Sequence, residues 1–162
     1  MTSPDTKLAS GLRWLWLSGL VLLLDQITKL AVSNSLALHD AIPVTPFFSL
    51  VYWQNPGAAF SLFANQPGWQ RSFFIFIALA ATFIIFSLLR KTRGRPLFCA
   101  ALALILGGAV GNVIDRFAYG HVVDFLLFHW RDWFYPAFNV ADSGITVGAI
   151  LLIMDSFRRD SR

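Results

Sequence analysis

The chain has 162 residues, of which 56% are hydrophobic and only 14% charged, against about 45–50% and about 25% in soluble domains. An apolar excess of that size cannot be hidden inside one small globule, and it excludes disorder, so the chain reads as a membrane protein. Its 13 Lys and Arg outnumber nine acids, giving +4, and all nine acids are Asp.

A helix of ~20 apolar residues crosses a bilayer core of about 30 Å. The first such stretch, residues 12–32, is apolar to Leu24 and is then broken by Asp25, Gln26 and Lys29. Asp25 and Lys29 lie one turn apart on the same face, where an ion pair accounts for both. Ala31-Val32-Ser33 loosely resembles a cleavage site. The charges before it and the three spans after it point instead to an uncleaved helix.

An outward segment, 33–70, follows. Its stretch 44–54 is rich in aromatic and β-branched residues and is bounded or interrupted by Pro43, Pro46 and Pro56. That pattern predicts short strands of a small sheet, with proline at edges. The second span, 72–89, carries no charge, nor does the third, 96–114, which is closed by Asp115 and Arg116. A single cysteine, Cys99, excludes an internal disulfide and a cysteine-based zinc cluster; it reads as a small buried hydrophobe. Gly107 and Gly111 form a G-x-x-x-G that allows close helix approach, within one chain or between two. Asn112 and Arg116 share a helix face.

In the second outward segment, 116–140, the run 122–128 is too short to span and too apolar for an ordinary loop, so it is expected to lie in the membrane interface. Trp53, Trp69, Trp130 and Trp133 fit an outer aromatic belt, and Trp14 and Trp16 an inner one. The fourth span, 141–157, begins with Asp142 and has Asp155 near its end. Asn139 and Asp142 sit where N-cap residues sit.

Nine of the 13 basic residues lie in the N-terminal arm, the 90–95 loop and the C-terminal tail. If four helices alternate, all nine fall on one side, which makes both termini cytoplasmic. The positive charge is therefore a topology signal, and no nucleic-acid partner is expected.

Ionisable groups near a bilayer centre cost at least ~2.5–3.5 kcal/mol each. Here they gather at the outward ends of spans one, three and four. Asp124 is flanked by Val122, Val123, Phe125 and Leu126, so nothing local compensates a desolvated carboxylate, and burial raises its pKa. Asp142 lies at a helix N-terminus, where the dipole favours the anion. Two carboxylates in unlike settings can share one proton and activate water for attack on a peptide carbonyl. Residue chemistry alone leaves open the plainer alternative, a helix cap plus a buried ion pair with Arg116. Ser61 and Ser143 have no adjacent His, and His39, His121 and His129 lack metal-ligand spacing. No phosphate loop, dinucleotide fingerprint or His-Glu-x-x-His motif occurs.

Five blocks in order then carry a resemblance: Leu24-Asp25-Gln26-Ile27-Thr28-Lys29, Asn55-Pro56-Gly57-Ala58-Ala59-Phe60-Ser61, Gly107 through Arg116, Gly120-His121-Val122-Val123-Asp124-Phe125, and Phe138-Asn139-Val140-Ala141-Asp142-Ser143. Together, and across the whole chain, they resemble the lipoprotein signal peptidase family, also called signal peptidase II. The resemblance implies one membrane domain over residues 1–162, in the bacterial inner membrane. It would be a bundle of four transmembrane helices with a small periplasmic β-cradle and a periplasmic helical segment, in keeping with segments 44–60 and 122–134. It also implies an aspartyl endopeptidase that cuts the signal peptide from prolipoproteins just before a diacylglyceryl-modified cysteine. Lipid tails would enter sideways from the outer leaflet.

By motif match Asp124 and Asp142 are the catalytic pair, and Asn112, Arg116 and Asn139 contact substrate. Asn55 and Gly57 lie near the substrate lid, while Asp25, Lys29, Asp115 and Ala141 support the site. Pro56 departs from frequent family members. The implied partners are the lipid-modified prolipoprotein and membrane lipids, with no cofactor and a monomer expected. The rival reading is a small transporter or channel subunit that uses the Asp residues as an ion path; no chain of polar residues crosses to the other face to supply one.

Overall fold

Four long apolar stretches fold as helices in the computed structural model, which describes residues 10–57 and 69–160. A 3-10 turn, Gly11–Trp14, is capped by the Ser10 hydroxyl, which accepts from the Leu12 N–H. It leads into α1, Leu15–Ser35. The others are α2 (Trp69–Lys91), α3 (Pro96–Ala118) and α4 (Val140–Asp160). All four are long and apolar enough to cross a membrane. Pro96 opens α3 at a position where its missing N–H costs nothing. The chain leaves α3 at Gly120, whose φ of 82° suits glycine. Asp115 and Arg116, expected to close the third span, instead form part of α3's last turns.

The central helix is α3. Of its apolar window 56% is buried, against 22%, 11% and 17% for the other three, so α3 faces protein while the others also face lipid. Phe76, Phe83, Ile84, Ile153 and Phe157 point outward, an arrangement stable in hydrocarbon and not in water. Glycines set how closely α3 is approached. A Cβ on Gly107 would lie 2.6 Å from the Ser18 carbonyl oxygen of α1, and one on Gly108 2.2 Å from that of Ala141 in α4. Gly107 and Gly111, the G-x-x-x-G pair, are thus used within the chain.

At one end, Ile85, Leu89, Cys99, Leu102 and Leu106 form an apolar core. There an Arg95–Asp155 ion pair ties the start of α3 to the end of α4. Arg90, Lys91, Arg93 and Arg158 belong to this same end.

A four-stranded antiparallel sheet closes the other end, in the order β1 (Ala41–Thr45), β2 (Phe48–Asn55), β3 (Val122–Trp130), β4 (Trp133–Phe134). Pro43 lies in β1, the edge strand, where a missing N–H breaks no interior ladder. Segment 122–134 corrects the expectation of an outward helical segment there: it is a strand and a short hairpin. The cause is non-local. Val122, Val123, Phe125 and Phe128 are β-branched or aromatic, and β2 offers them a free edge, pairing Asn55 with Val122 and Phe48 with Phe128. Most of the second motif block, 58–61, lies outside the described residues.

Candidate active site

Asp124 and Asp142 are 18 residues apart in the chain, and backbone pairing brings them to one place. After the β3–β4 hairpin the chain returns along β3: Phe125 and Leu126 both donate to the Phe138 carbonyl, and Phe138 donates to Leu126. That clamp sets Asn139 and the start of α4 beside Asp124. The first turn of α4 is closed by a reciprocal cap. Asn139 Oδ1 accepts from the Asp142 N–H at 2.9 Å, and Asp142 Oδ2 accepts from the Asn139 N–H at 3.3 Å. This is a capping box with Asp in the place usual for Glu.

Three carboxamides hold the two carboxylates. Asn139 Nδ2 donates to Asp124 Oδ1 at 2.9 Å, and Asn55 Nδ2 to Asp124 Oδ2 at 3.0 Å. Asn55 reaches across because its pairing with Val122 puts it diagonal to Asp124 on the same sheet face. Asn112 Nδ2 donates to Asp142 Oδ1 at 2.8 Å. No cation forms an ion pair with either carboxylate among the described residues, and Asp124 is only 4% exposed. Burial pushes the Asp124 carboxyl up to about 7, and the charge of Asp142 pushes the same way; the Asn55 and Asn139 hydrogen bonds and the charge of Lys29 oppose it.

Behind this pair lies a second cluster. Lys29 Nζ sits 2.8 Å from both Asp25 Oδ2 and Asp115 Oδ2. Gln26 donates to both of those carboxylates. Asp25 Oδ1 accepts from the Ala141 N–H at 2.9 Å, and Asp115 Oδ2 from the Val123 N–H. The cluster therefore fixes the backbone at the first turn of α4 and at the start of β3, the two segments that carry the pair. Gly111 leaves the space for it: a Cβ there would lie 2.6 Å from Asp25 Oδ2.

Arg116 sits at the junction. It donates to the carbonyls of Gly57, at 2.7 Å, and Asn112, and lies over the Phe74 ring. Its buried Nε has no hydrogen-bond partner among the described residues. The ion pair between Arg116 and Asp124 that the sequence left open does not form. Gly57 also donates its N–H to Asn55 Oδ1, which fixes the side chain of Asn55.

A cavity of about 590 Å³ opens onto the pair. Asn55, Asn112, Arg116, Asp124 and Asp142 give it one polar wall, and Val122, Phe138, Ile145 and Val147 an apolar one. The residues assigned to the site by motif match meet in this region: Asn55, Asn112, Arg116, Asp124 and Asp142 on the cavity wall, Asn139 and Gly57 bonded to them, and Asp25, Lys29, Asp115 and Ala141 in the cluster behind. Sequence reasoning passed over Gln26, although a carboxamide beside Asp25 inside a span was a signal. It also passed over Tyr135 and gave Phe138 no role of its own; both line the cavity because the chain folds back along β3.

Comparison with known proteins gives three findings. A family model described as signal peptidase (SPase) II matches residues 17–158. The lipoprotein signal peptidase of Paraburkholderia phytofirmans is 53% identical over 98% of this chain and 93% of that one, and its namesake in Ralstonia nicotianae is 56% identical over 92% and 86%. A bacterial membrane enzyme solved in meso at 2.3 Å superposes with a TM-score of 0.83 at 29% identity, covering 92% of this chain and 90% of that one.

Proposed function

The chain belongs to the signal peptidase II family, and from that premise we propose that Asp124 and Asp142 are the catalytic pair of an aspartic-type peptidase that removes signal peptides from prolipoproteins. The observation that carries this reading is the pair itself: two carboxylates joined through Asn139 and facing a cavity, with no cation between them. Among the charged side chains of the pair, the cluster behind it and Arg116, the carboxylates Asp25, Asp115, Asp124 and Asp142 outnumber the cations Lys29 and Arg116. Burial lowers the pKa of His121, which keeps its ring neutral. A proton shared by Asp124 and Asp142 relieves that imbalance.

The shared proton is assigned to Asp124, in line with its raised pKa. Asp142, held by the Asn112 carboxamide and the Asn139 N–H, is the free base. A water between them loses a proton to Asp142 as its oxygen attacks the scissile carbonyl carbon. Asp124 gives its proton to the carbonyl oxygen, which forms a neutral tetrahedral diol. On collapse the C–N bond breaks, Asp142 passes its proton to the leaving amine, and a diol hydroxyl returns one to Asp124. Arg116 and Asn55, on the cavity wall, orient the substrate backbone. The cut falls before a diacylglyceryl-modified cysteine whose lipid reaches the apolar wall from the bilayer.

The basic residues at the end away from the sheet support a topology with both termini in the cytoplasm and the cavity at the periplasmic face of the inner membrane.

The test is cleavage of a purified, lipid-modified prolipoprotein by Asp124→Asn and Asp142→Asn, with Asp155→Asn as control. A loss of about 10³-fold in kcat is expected for each of the first two, and near wild-type cleavage by the third. Folded dyad variants that still cut at the wild-type rate would overturn the assignment.

A further inference from the structure

Asn112 joins the two clusters. A carboxamide turned over about its last bond keeps its shape and exchanges its donor and acceptor ends, so its neighbours decide which way it faces. An ammonium can only donate, and Lys29 Nζ lies 3.1 Å from Asn112 Oδ1. Asn139 Nδ2, also a donor, is 3.3 Å from the same oxygen. On the far side, Asn112 Nδ2 meets Asp142 Oδ1.

We propose that Lys29 is a positioning residue for the reaction: clamped between Asp25 and Asp115, its ammonium locks the Asn112 carboxamide with its NH2 toward Asp142. The proposal rests on the assignment of Asp142 as the base. Reversed, the carboxamide would set oxygen against oxygen at Asp142, which the pair relieves only by protonating Asp142 and so losing its free base. Lys29 itself lies on the side of Asn112 away from Asp142. Its loss therefore acts on turnover, while Arg116 and Asn55 still bind substrate.

Lys29→Met alone would strand two buried carboxylates, so the test is the charge-balanced double variant Lys29→Met with Asp115→Asn. Turnover and KM are measured on the lipid-modified prolipoprotein, with and without Asn112→Ala. Expected is a fall in kcat of about 10²-fold with KM changed by less than about threefold. Adding Asn112→Ala to that background should lower kcat by no more than about twofold, because both changes break the same link. Lys29→Gln with Asp115→Asn restores a donor toward Asn112 Oδ1 and should recover part of the lost kcat. Losses that multiply, a fall carried by KM, an unchanged kcat, or failure of both double variants to fold would each overturn the proposal. Asp124→Asn is run alongside. If it cleaves normally, the catalytic pair is misassigned. If it is inactive while the Lys29 and Asn112 losses multiply, only the role of Lys29 fails.

Discussion

Two buried carboxylate pairs lie side by side at the sheet end of this bundle, and they differ in what stands between their members. Asp25 and Asp115 have an ammonium between them, a carboxamide on both, and a backbone N–H each. Asp124 and Asp142 have carboxamides, and Asp142 a backbone N–H, but no ion-paired cation among the described residues, and a cavity in front. The first pair shares one ammonium and has its oxygens occupied by donors, which suits it to holding structure together. The second has no such cation among the described residues, which is the setting the proposed proton exchange needs. On that proposal one residue type serves as framework or as reagent according to its counter-charge.

The contrast breaks most visibly when function and stability are measured on the same variants. Asp124→Asn and Asp142→Asn should lose about 10³-fold in kcat. Asp25→Asn removes one side of a fully buried ion cluster and should lower unfolding stability by about 3 kcal/mol in a thermal or denaturant melt. If Asp25→Asn melts like the wild type, the framework half of the comparison is wrong.

Asp124 should act in the opposite sense on stability. Its pKa is about 7 in the fold against an ordinary 3.8, so the folded state holds this proton more tightly. The stability it contributes is complete below pH 3.8 and is lost as pH rises through about 7. Asp124→Asn should therefore flatten the stability-against-pH curve and melt no lower than wild type above that range.

Gly108→Ala probes how both pairs depend on helix spacing. The new methyl meets the Ala141 carbonyl oxygen, and the first turn of α4 must shift. A stability loss of about 1–3 kcal/mol is expected, together with reduced cleavage, since Asp142 moves with that turn.

The smallest effect is the finest test. Cleavage should fall on the alkaline side as Asp124 gives up its proton near pH 7. Asn55→Ala removes a hydrogen bond that favours the ionised carboxylate, so that limb should move to higher pH, by less than about one unit. A shift to lower pH would mean that Asn55 donates chiefly elsewhere.

The helices are legible in the sequence because the signal is local: long apolar runs, with basic residues gathered between two of them. The ion pair of Asp25 with Lys29 is legible for the same reason, one turn on one face. Asp115 as its third member is not, because α1 and α3 meet only through the folded bundle. The strand at 122–130 was hidden because a short apolar run takes its conformation from the edge it finds, here β2. Residue chemistry marked Asp124 as an uncompensated carboxylate. Its approach to Asp142 depends on the clamp between Phe138 and β3, which no spacing rule expresses. Asn139 and Asp142 did read as capping residues, and they are, with the chemistry assigned to Asp142 added to the cap.

That capping box has a consequence for biogenesis. Asp142 arrives on α4, after the other three helices and the sheet have been synthesised, and it faces Asp124 only once the Asn139 cap has closed. A partly inserted chain therefore carries only one of the two carboxylates proposed to cut, and on that proposal competence to cut waits for the last helix to be made.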